Sequence, residues 1–261
     1  MYVYPLRRFL IFCAIILVAS RGQPLRGAAY QAEVLIAAAT DADLQPLLAK
    51  LQDSRVETRA AWQFWLGTLA GKQVVLTRTE GDPLNAVAAT TLAIRRYAPK
   101  LVVTFGSARA HDPELRPGDL VISGKFVAFD GMYSSVTPLG EGSHSLTWKP
   151  LPHLLATTGE KETPAYFFPA DERALELAKK LTPTRGKLII GVLGSAPETN
   201  READRIAWIR STWNTSCEDG ESAHIAGCAK LLGIPVIGLR VIDGKEGEAG
   251  TVALEFMEVW K

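Results

Sequence analysis

The sequence predicts an α/β sandwich built around a largely parallel sheet, and three observations carry that prediction. Apolar runs such as 33–39, 101–105 and 235–242 have the length and continuity of strands buried on both faces. Segments with a helical apolar period lie between such runs, as in Leu44, Leu47, Leu48 and Leu51. Strand and helix alternate with no internal repeat and no dividing linker, the order expected of one α/β domain.

Residues 33–39 form the first strand, and Thr40-Asp41 supplies the N-cap of the helix carrying the leucine stripe. Two strands, 62–69 and 72–79, are joined by the tight turn Ala70-Gly71. An Ala-rich helix covers 85–97 and stops at Pro99. The apolar strand 101–105 ends at Gly106-Ser107-Ala108, and Pro117-Gly118 turns the chain into a long strand over 119–129. Residues 134–169 are rich in Gly, Pro, Ser and Thr with little periodicity and read as a long loop or lid. A helix over 171–181, a strand over 187–193 and helices over 201–211 and 221–232 follow. The strand 235–242 and a short helix over 252–260 complete the chain.

Composition narrows the function. The chain carries 29 Lys+Arg against 28 Asp+Glu with no basic tract, so no nucleic-acid partner is expected. A hydrophobic content of 47% argues against disorder. Arg7 and Arg8 precede the apolar run 9–19, which Ser20, Arg21 and Gly22 follow, the pattern of a secretory leader. The run is shorter than the roughly 20 residues of a membrane span. Residues 1–29 therefore read as a signal peptide or N-terminal anchor, with cut points after Ser20 or Ala29, and 30–261 as one domain. The expected location is periplasmic or secreted, or membrane-anchored through that segment. Cys13 lies inside the apolar run without the small residues that precede a lipidated cysteine. A helix from 222 would hold Cys217 and Cys228 farther apart than the roughly 7 Å a disulfide allows, so both are expected as small buried apolar residues.

In such folds ligands gather at the carboxyl ends of strands. The loops beginning at Thr40, Thr79, Gly106, Gly194, Cys217 and Asp243 are the ones that qualify. Gly220-Glu221-Ser222-Ala223 and Arg240-Val241-Ile242-Asp243 each set a carboxylate beside a strand end. Such a pair suits a reaction in which one group binds hydroxyls and the other moves a proton. His111, His144, His153 and His224 lack metal-ligand spacing, and no phosphate-binding, nucleophile-elbow or zinc motif occurs, so neither metal nor cofactor is expected. His224, three residues after Glu221, reads as a packed, hydrogen-bonded side chain. Phe167, Phe168 and Pro197 suit either a stacking border for a base or core packing.

One order of motifs stands out. Thr40-Asp41-Ala42-Asp43 opens a helix; Gly81-Asp82-Pro83-Leu84-Asn85-Ala86, Gly106-Ser107-Ala108 and Pro117-Gly118-Asp119-Leu120-Val121 follow; then come Asp219-Gly220-Glu221-Ser222-Ala223 and Arg240-Val241-Ile242-Asp243. Over about residues 33–260 this order resembles the nucleoside phosphorylase superfamily, and within it the methylthioadenosine/S-adenosylhomocysteine nucleosidases. The resemblance implies a three-layer α/β/α sandwich with a mixed, largely parallel central sheet. It also implies a homo-oligomer, such as a dimer, that hydrolyses the N-glycosidic bond of an adenine-type nucleoside.

Such cleavage leaves positive charge on the ribose and negative charge on the departing base. Asp243 matches the family's catalytic acid, which must be partly buried to hold a proton near neutrality; the position also suits a helix N-cap. Glu221 matches the carboxylate that holds the ribose hydroxyls, and equally a first-turn acid facing a helix dipole. Asp43 aligns with the family's water-activating glutamate, one methylene shorter, and also fits a surface acid in a helix's first turn. Ser107, Ala108, Gly220, Pro197 and Phe168 are the implied substrate contacts, and Gly81 and Arg109 the candidate anion-binding groups. Gly220 stands where the family has methionine, Ile242 where it has serine, and Arg109-Ala110-His111 where glycines are usual. Arg109 can fill the pocket, recruit phosphate or another anion, or face solvent, whereas Arg240 suits a structural ion pair. Two rivals follow from these departures: a phosphate-dependent purine nucleoside phosphorylase, and a nucleoside-binding or storage protein without turnover.

Overall fold

The computed structural model describes residues 30–158 and 161–260. The leader lies outside them, as do the cut points proposed for it. Among the described residues no helix is long and apolar enough to cross a membrane.

The chain opens with β1 (Val34–Ala38), α1 (Asp41–Leu48), β2 (Gln52–Arg59), β3 (Trp62–Leu69), β4 (Lys72–Arg78) and α2 (Pro83–Tyr97). It continues through β5 (Leu101–Ala110) and β6 (Leu120–Ala128) to short strands β7 (Met132–Tyr133), β8 (Lys149–Pro150), β9 (His153–Leu155), β10 (Thr163–Ala165) and β11 (Phe168–Pro169). The last third holds α3 (Glu172–Ala178), β12 (Leu188–Ser195), α4 (Ala203–Trp213), β13 (Cys217–Asp219), α5 (Ser222–Leu231), β14 (Val236–Ile242) and α6 (Glu248–Val259).

Ten strands form one mixed sheet, ordered β11-β6-β12-β13-β5-β1-β4-β3-β2, with β14 pairing β5 and β6. Parallel pairing joins β4, β1, β5 and β14, and separately β6, β12 and β13. Every residue of β1 and of β14 is buried, so both faces of the sheet's centre are covered. The covering helices pack as two groups, α2 on α5 and α1 and α3 on α6. This is the sandwich that the alternation of elements predicts.

Local chemistry explains most boundaries. Ala70 (φ 49°) and Gly71 (φ 76°) give the hairpin turn its two positive φ angles, as a two-residue connection between twisted strands requires. Asp82 caps α2 by accepting from the amides of Leu84 (2.9 Å) and Asn85 (3.3 Å), and Pro83 occupies the first turn. Cys217 and Cys228 are free and buried, as expected.

Four differences from the expected elements stand out. The edge strand β2 was not foreseen, because nearly all of Gln52–Arg59 is polar and exposed and shows no apolar face. Strand β5 runs on through Gly106 to Ala110, held by parallel pairing to β14 and antiparallel pairing to β13. Helix α6 begins at Glu248 rather than 252, behind Gly247 in the left-handed region (φ 73°). Within the loop predicted over 134–169, β7 pairs β8 and β9 pairs β10 as two small antiparallel ladders.

Candidate active site

The carboxyl ends of β4, β5, β12, β13 and β14 surround a cavity of ≈ 640 Å³, a size that accommodates a small organic ligand. Its walls include Gly81, Ser107, Ala108, Arg109, Pro197, Gly220 and Asp243, seven of the residues singled out in the sequence. Glu80, Asp82, Glu198, Thr199, Glu218 and Asp219 line it as well.

Behind this wall lies a charge network centred on Arg240, which is 2% exposed. Its Nε donates to Asp219 Oδ2 (2.6 Å), and its terminal nitrogens donate to the Leu239 carbonyl (3.0 Å) and Thr104 Oγ1 (2.9 Å). Asp219 Oδ1 accepts from Ser195 Oγ, from the Glu221 amide and from the Ser222 amide, each at 2.8 Å. Burial pushes the Asp219 carboxyl up, but Arg240 and these donors outweigh it and hold the group below its ordinary range. Asp219 thus fixes the first turn of α5, where Glu221 sits. The ion pair expected of Arg240 is present, with a partner that the spacing of motifs did not reveal.

Glu221 is 2% exposed. Thr79 Oγ1 donates to its Oε1 (2.7 Å), while Oε2 has no hydrogen-bond partner among the described residues. Burial raises its carboxyl to about 7, against the opposing pull of Thr79 and Arg240. The glycine at 220 has a packing reason: a Cβ there would run into the Gly81 carbonyl oxygen. The Gly81 backbone therefore leaves no room for a side chain at this position.

Asp43 is buried rather than on the surface, 9% exposed. Thr40 and Asp43 cap each other, Thr40 Oγ1 donating to Oδ2 (2.8 Å) and the Asp43 amide donating back (3.2 Å). A Cβ built on Gly106 would lie 3.9 Å from Asp43 Oδ2 and 4.0 Å from the Arg240 guanidinium carbon. Gly106 thus separates Asp43 from the Arg240 guanidinium, which pairs with Asp219 and acts on the charge of Glu221.

Asp243 departs from expectation in one respect. It faces the cavity but is exposed, so the burial expected of a general acid is not met. The cause is local: β14 ends at Ile242, and Asp243 turns into the left-handed region (φ 40°) with its amide bound to the Ala108 carbonyl. It does not cap α6, which begins five positions later.

Phe168 is a correction. It sits on β11, beneath Gly227, and lines a second, apolar pocket of ≈ 360 Å³ with His153, His224 and Leu231. Its strand pairs with β6, which directs the ring under α5 rather than toward the cavity. Phe167 packs on the cluster of Val127, Phe129 and Trp213 with Lys125 over its ring, so core packing holds for both aromatics. His224 is hydrogen-bonded as expected, to Asp130 (2.9 Å).

Sequence reasoning also missed a buried clamp. Glu218 accepts from the Asn200 amide (3.0 Å) and from Asn200 Nδ2 (2.7 Å), and His111 Nε2 lies 3.1 Å from its Oε2. The far nitrogen of His111 bonds Thr215 Oγ1 (2.7 Å). The clamp pins the loop carrying Pro197, Glu198 and Thr199 against β13. Burial pushes the Glu218 carboxyl up, yet His111 and Asn200 hold it below its usual range.

The model of the phosphorylase superfamily matches residues 33–261. The chain belongs to that superfamily. A 5'-methylthioadenosine/S-adenosylhomocysteine nucleosidase of Tolumonas auensis is 30% identical over 224 residues, covering 83% of this chain and 90% of that protein. The nucleosidase of the same name from Marinomonas sp. is 28% identical over 218 residues, 83% of this chain and 87% of the relative. Among solved structures, the superfamily fold is shared with the S. pneumoniae nucleosidase bound to a transition-state inhibitor. The TM-score is 0.70 at 20% identity, covering 87% of this chain and 98% of that one. Futalosine hydrolase of Helicobacter pylori aligns at a TM-score of 0.69 and 18% identity, over 88% of this chain and 97% of its own.

Proposed function

We propose that this superfamily member is a nucleosidase that hydrolyses the N-glycosidic bond of an adenine-type nucleoside, of the methylthioadenosine or S-adenosylhomocysteine kind. The observation that carries the reading is Glu221, a buried carboxylate with one oxygen held by Thr79 and the other without a partner. A ribose hydroxyl is the donor such an oxygen accepts, and fixing the sugar there aligns its anomeric carbon for attack. Asp243, which lines the cavity, is the group that delivers a proton to the departing base. Asp43 orients the water, its place beside Gly106 and Arg240 supporting that role. Its reciprocal bond with Thr40 keeps the shorter side chain in one position.

Water rather than phosphate is the attacking group in this reading. Arg109 is the single cation among the cavity-lining residues, against six carboxylates, which disfavours a free dianion. Release of adenine from methylthioadenosine and from adenosine, with and without phosphate, tests the reading; strict phosphate dependence would select the phosphorylase instead. Asp243→Asn is expected to lower the rate at least about 10²-fold, the usual loss on removing a general acid, with unchanged unfolding. Asparagine is the suitable replacement because it tolerates the left-handed backbone of this position. An unchanged rate would remove Asp243 from the mechanism.

The reading extends to an exported homodimer. The charged and apolar order of residues 1–29 supports export, and Leu84, Val87 and Leu231, exposed on the packed helices α2 and α5, support an apolar subunit contact. Cell fractionation and sedimentation measure the two.

A further inference from the structure

The cavity's charges are almost all spoken for. Glu80 pairs with Arg78, and Asp82 caps α2. Glu198 lies 3.4 Å from Arg205, Asp219 pairs with Arg240, and Glu218 is clamped by Asn200 and His111. Two charged side chains of the lining remain without a side-chain partner among the described residues, Asp243 and Arg109.

The freedom of Arg109 has a structural origin. It stands directly across from Glu218 in the antiparallel pairing of β5 with β13, so the two side chains leave the same face of the sheet. That neighbour would ordinarily be its ion-pair partner. Glu218 instead accepts from Asn200 twice and faces His111, which follows the end of β5 two residues beyond Arg109. The half-buried guanidinium is left on the cavity wall with its donors unspent.

We propose that Arg109 forms a subsite for a carboxylate or similar oxyanion carried by the nucleoside itself, making it a specificity-determining residue that favours substrates bearing such a group. This rests on the nucleosidase reading for the rest of the ligand. Guanidinium and carboxylate meet through two parallel N–H···O bonds, a geometry that a lysine ammonium does not reproduce. Tethering to a bound nucleoside supplies the local concentration that free phosphate lacks.

The test compares S-adenosylhomocysteine, which bears a carboxylate, with methylthioadenosine, which does not, in the wild type and in Arg109→Ala and Arg109→Lys. The wild type is expected to prefer the carboxylate-bearing substrate in kcat/KM. Arg109→Ala should reduce that preference about 10-fold, as loss of one charge-assisted pair at a half-buried site implies. Arg109→Lys should keep an intermediate preference. If both substrates lose equally in Arg109→Ala, or neither changes, the subsite is overturned. Inorganic phosphate is titrated in parallel. Inhibition that vanishes in Arg109→Ala, without any change in substrate preference, would assign the site to a free anion and overturn the tethered one. If neither nucleoside is cleaved, the nucleosidase reading fails, and the same comparison made with dissociation constants from calorimetry still decides the role of Arg109.

Discussion

Glu221→Gln is expected to lose at least about 10²-fold in kcat/KM and to gain stability relative to wild type as pH rises. The first effect follows from the ribose: a carboxylate accepts two hydroxyls, whereas an amide offers one acceptor and a donor that opposes them. The second follows from burial, which raises the Glu221 carboxyl to about 7. In the unfolded chain a glutamate titrates near 4.3, so between roughly 4.3 and 7 the folded state binds more protons than the unfolded one. Stability that the neutral side chain contributes below the lower value is then lost as pH climbs through the upper one. Between pH 5 and 8 the wild type should lose about 2–3 kcal/mol that the glutamine variant keeps, at about 1.4 kcal/mol per pKa unit. Urea unfolding at the two pH values measures this difference. The acid limb of the wild-type kcat/KM profile should lie near pH 7, because the anchor works ionised. A limb below pH 5, or equal stability slopes for the two proteins, would contradict the placement of Glu221.

Much of this arrangement was legible before any coordinates, and the rest was hidden for physical reasons. Continuous apolar runs become β1, β5 and β14 because a strand buried on both faces needs apolar residues at every position. The carboxyl ends of the parallel strands were identifiable for the same reason, and Ser107, Ala108, Gly220 and Asp243 line the cavity there, the first two still within β5. Strand β2 was illegible because an exposed edge imposes no apolar period. Asp219, Glu218 and Asn200 were missed because their meaning lies in partners about 20 residues or more away, or across the sheet: Arg240, His111 and the loop at 197–200. Phe168 was misplaced because an aromatic side chain announces a large contact but not its direction, which its pairing with β6 fixes. The exposure of Asp243 depended on where β14 ends, a boundary that no motif specifies.

Asp219→Asn should destabilise the protein by about 3–5 kcal/mol, the range for leaving one partner of a buried ion pair uncompensated. Asparagine preserves the shape and can still accept from Ser195 and from the amides of Glu221 and Ser222, so the cap of α5 survives. What disappears is the negative charge 2.6 Å from Arg240 Nε, and an amide donor then faces a guanidinium donor inside the core. Arg240→Met, made alone, leaves Asp219 charged and buried and should cost a similar amount. Made together, the two changes should cost clearly less than their sum, because neither charge then remains to be solvated. Denaturation of both single variants and the double one measures this coupling. Additive costs would mean that Asp219 is stabilised by its three other donors and that Arg240 contributes only through Thr104 and the Leu239 carbonyl. In that case Arg240→Met should leave the ribose anchor in place and activity largely intact. With strong coupling, the single variants should lose activity along with stability, because the Asp219 carboxylate that binds Arg240 also holds the amides of Glu221 and Ser222.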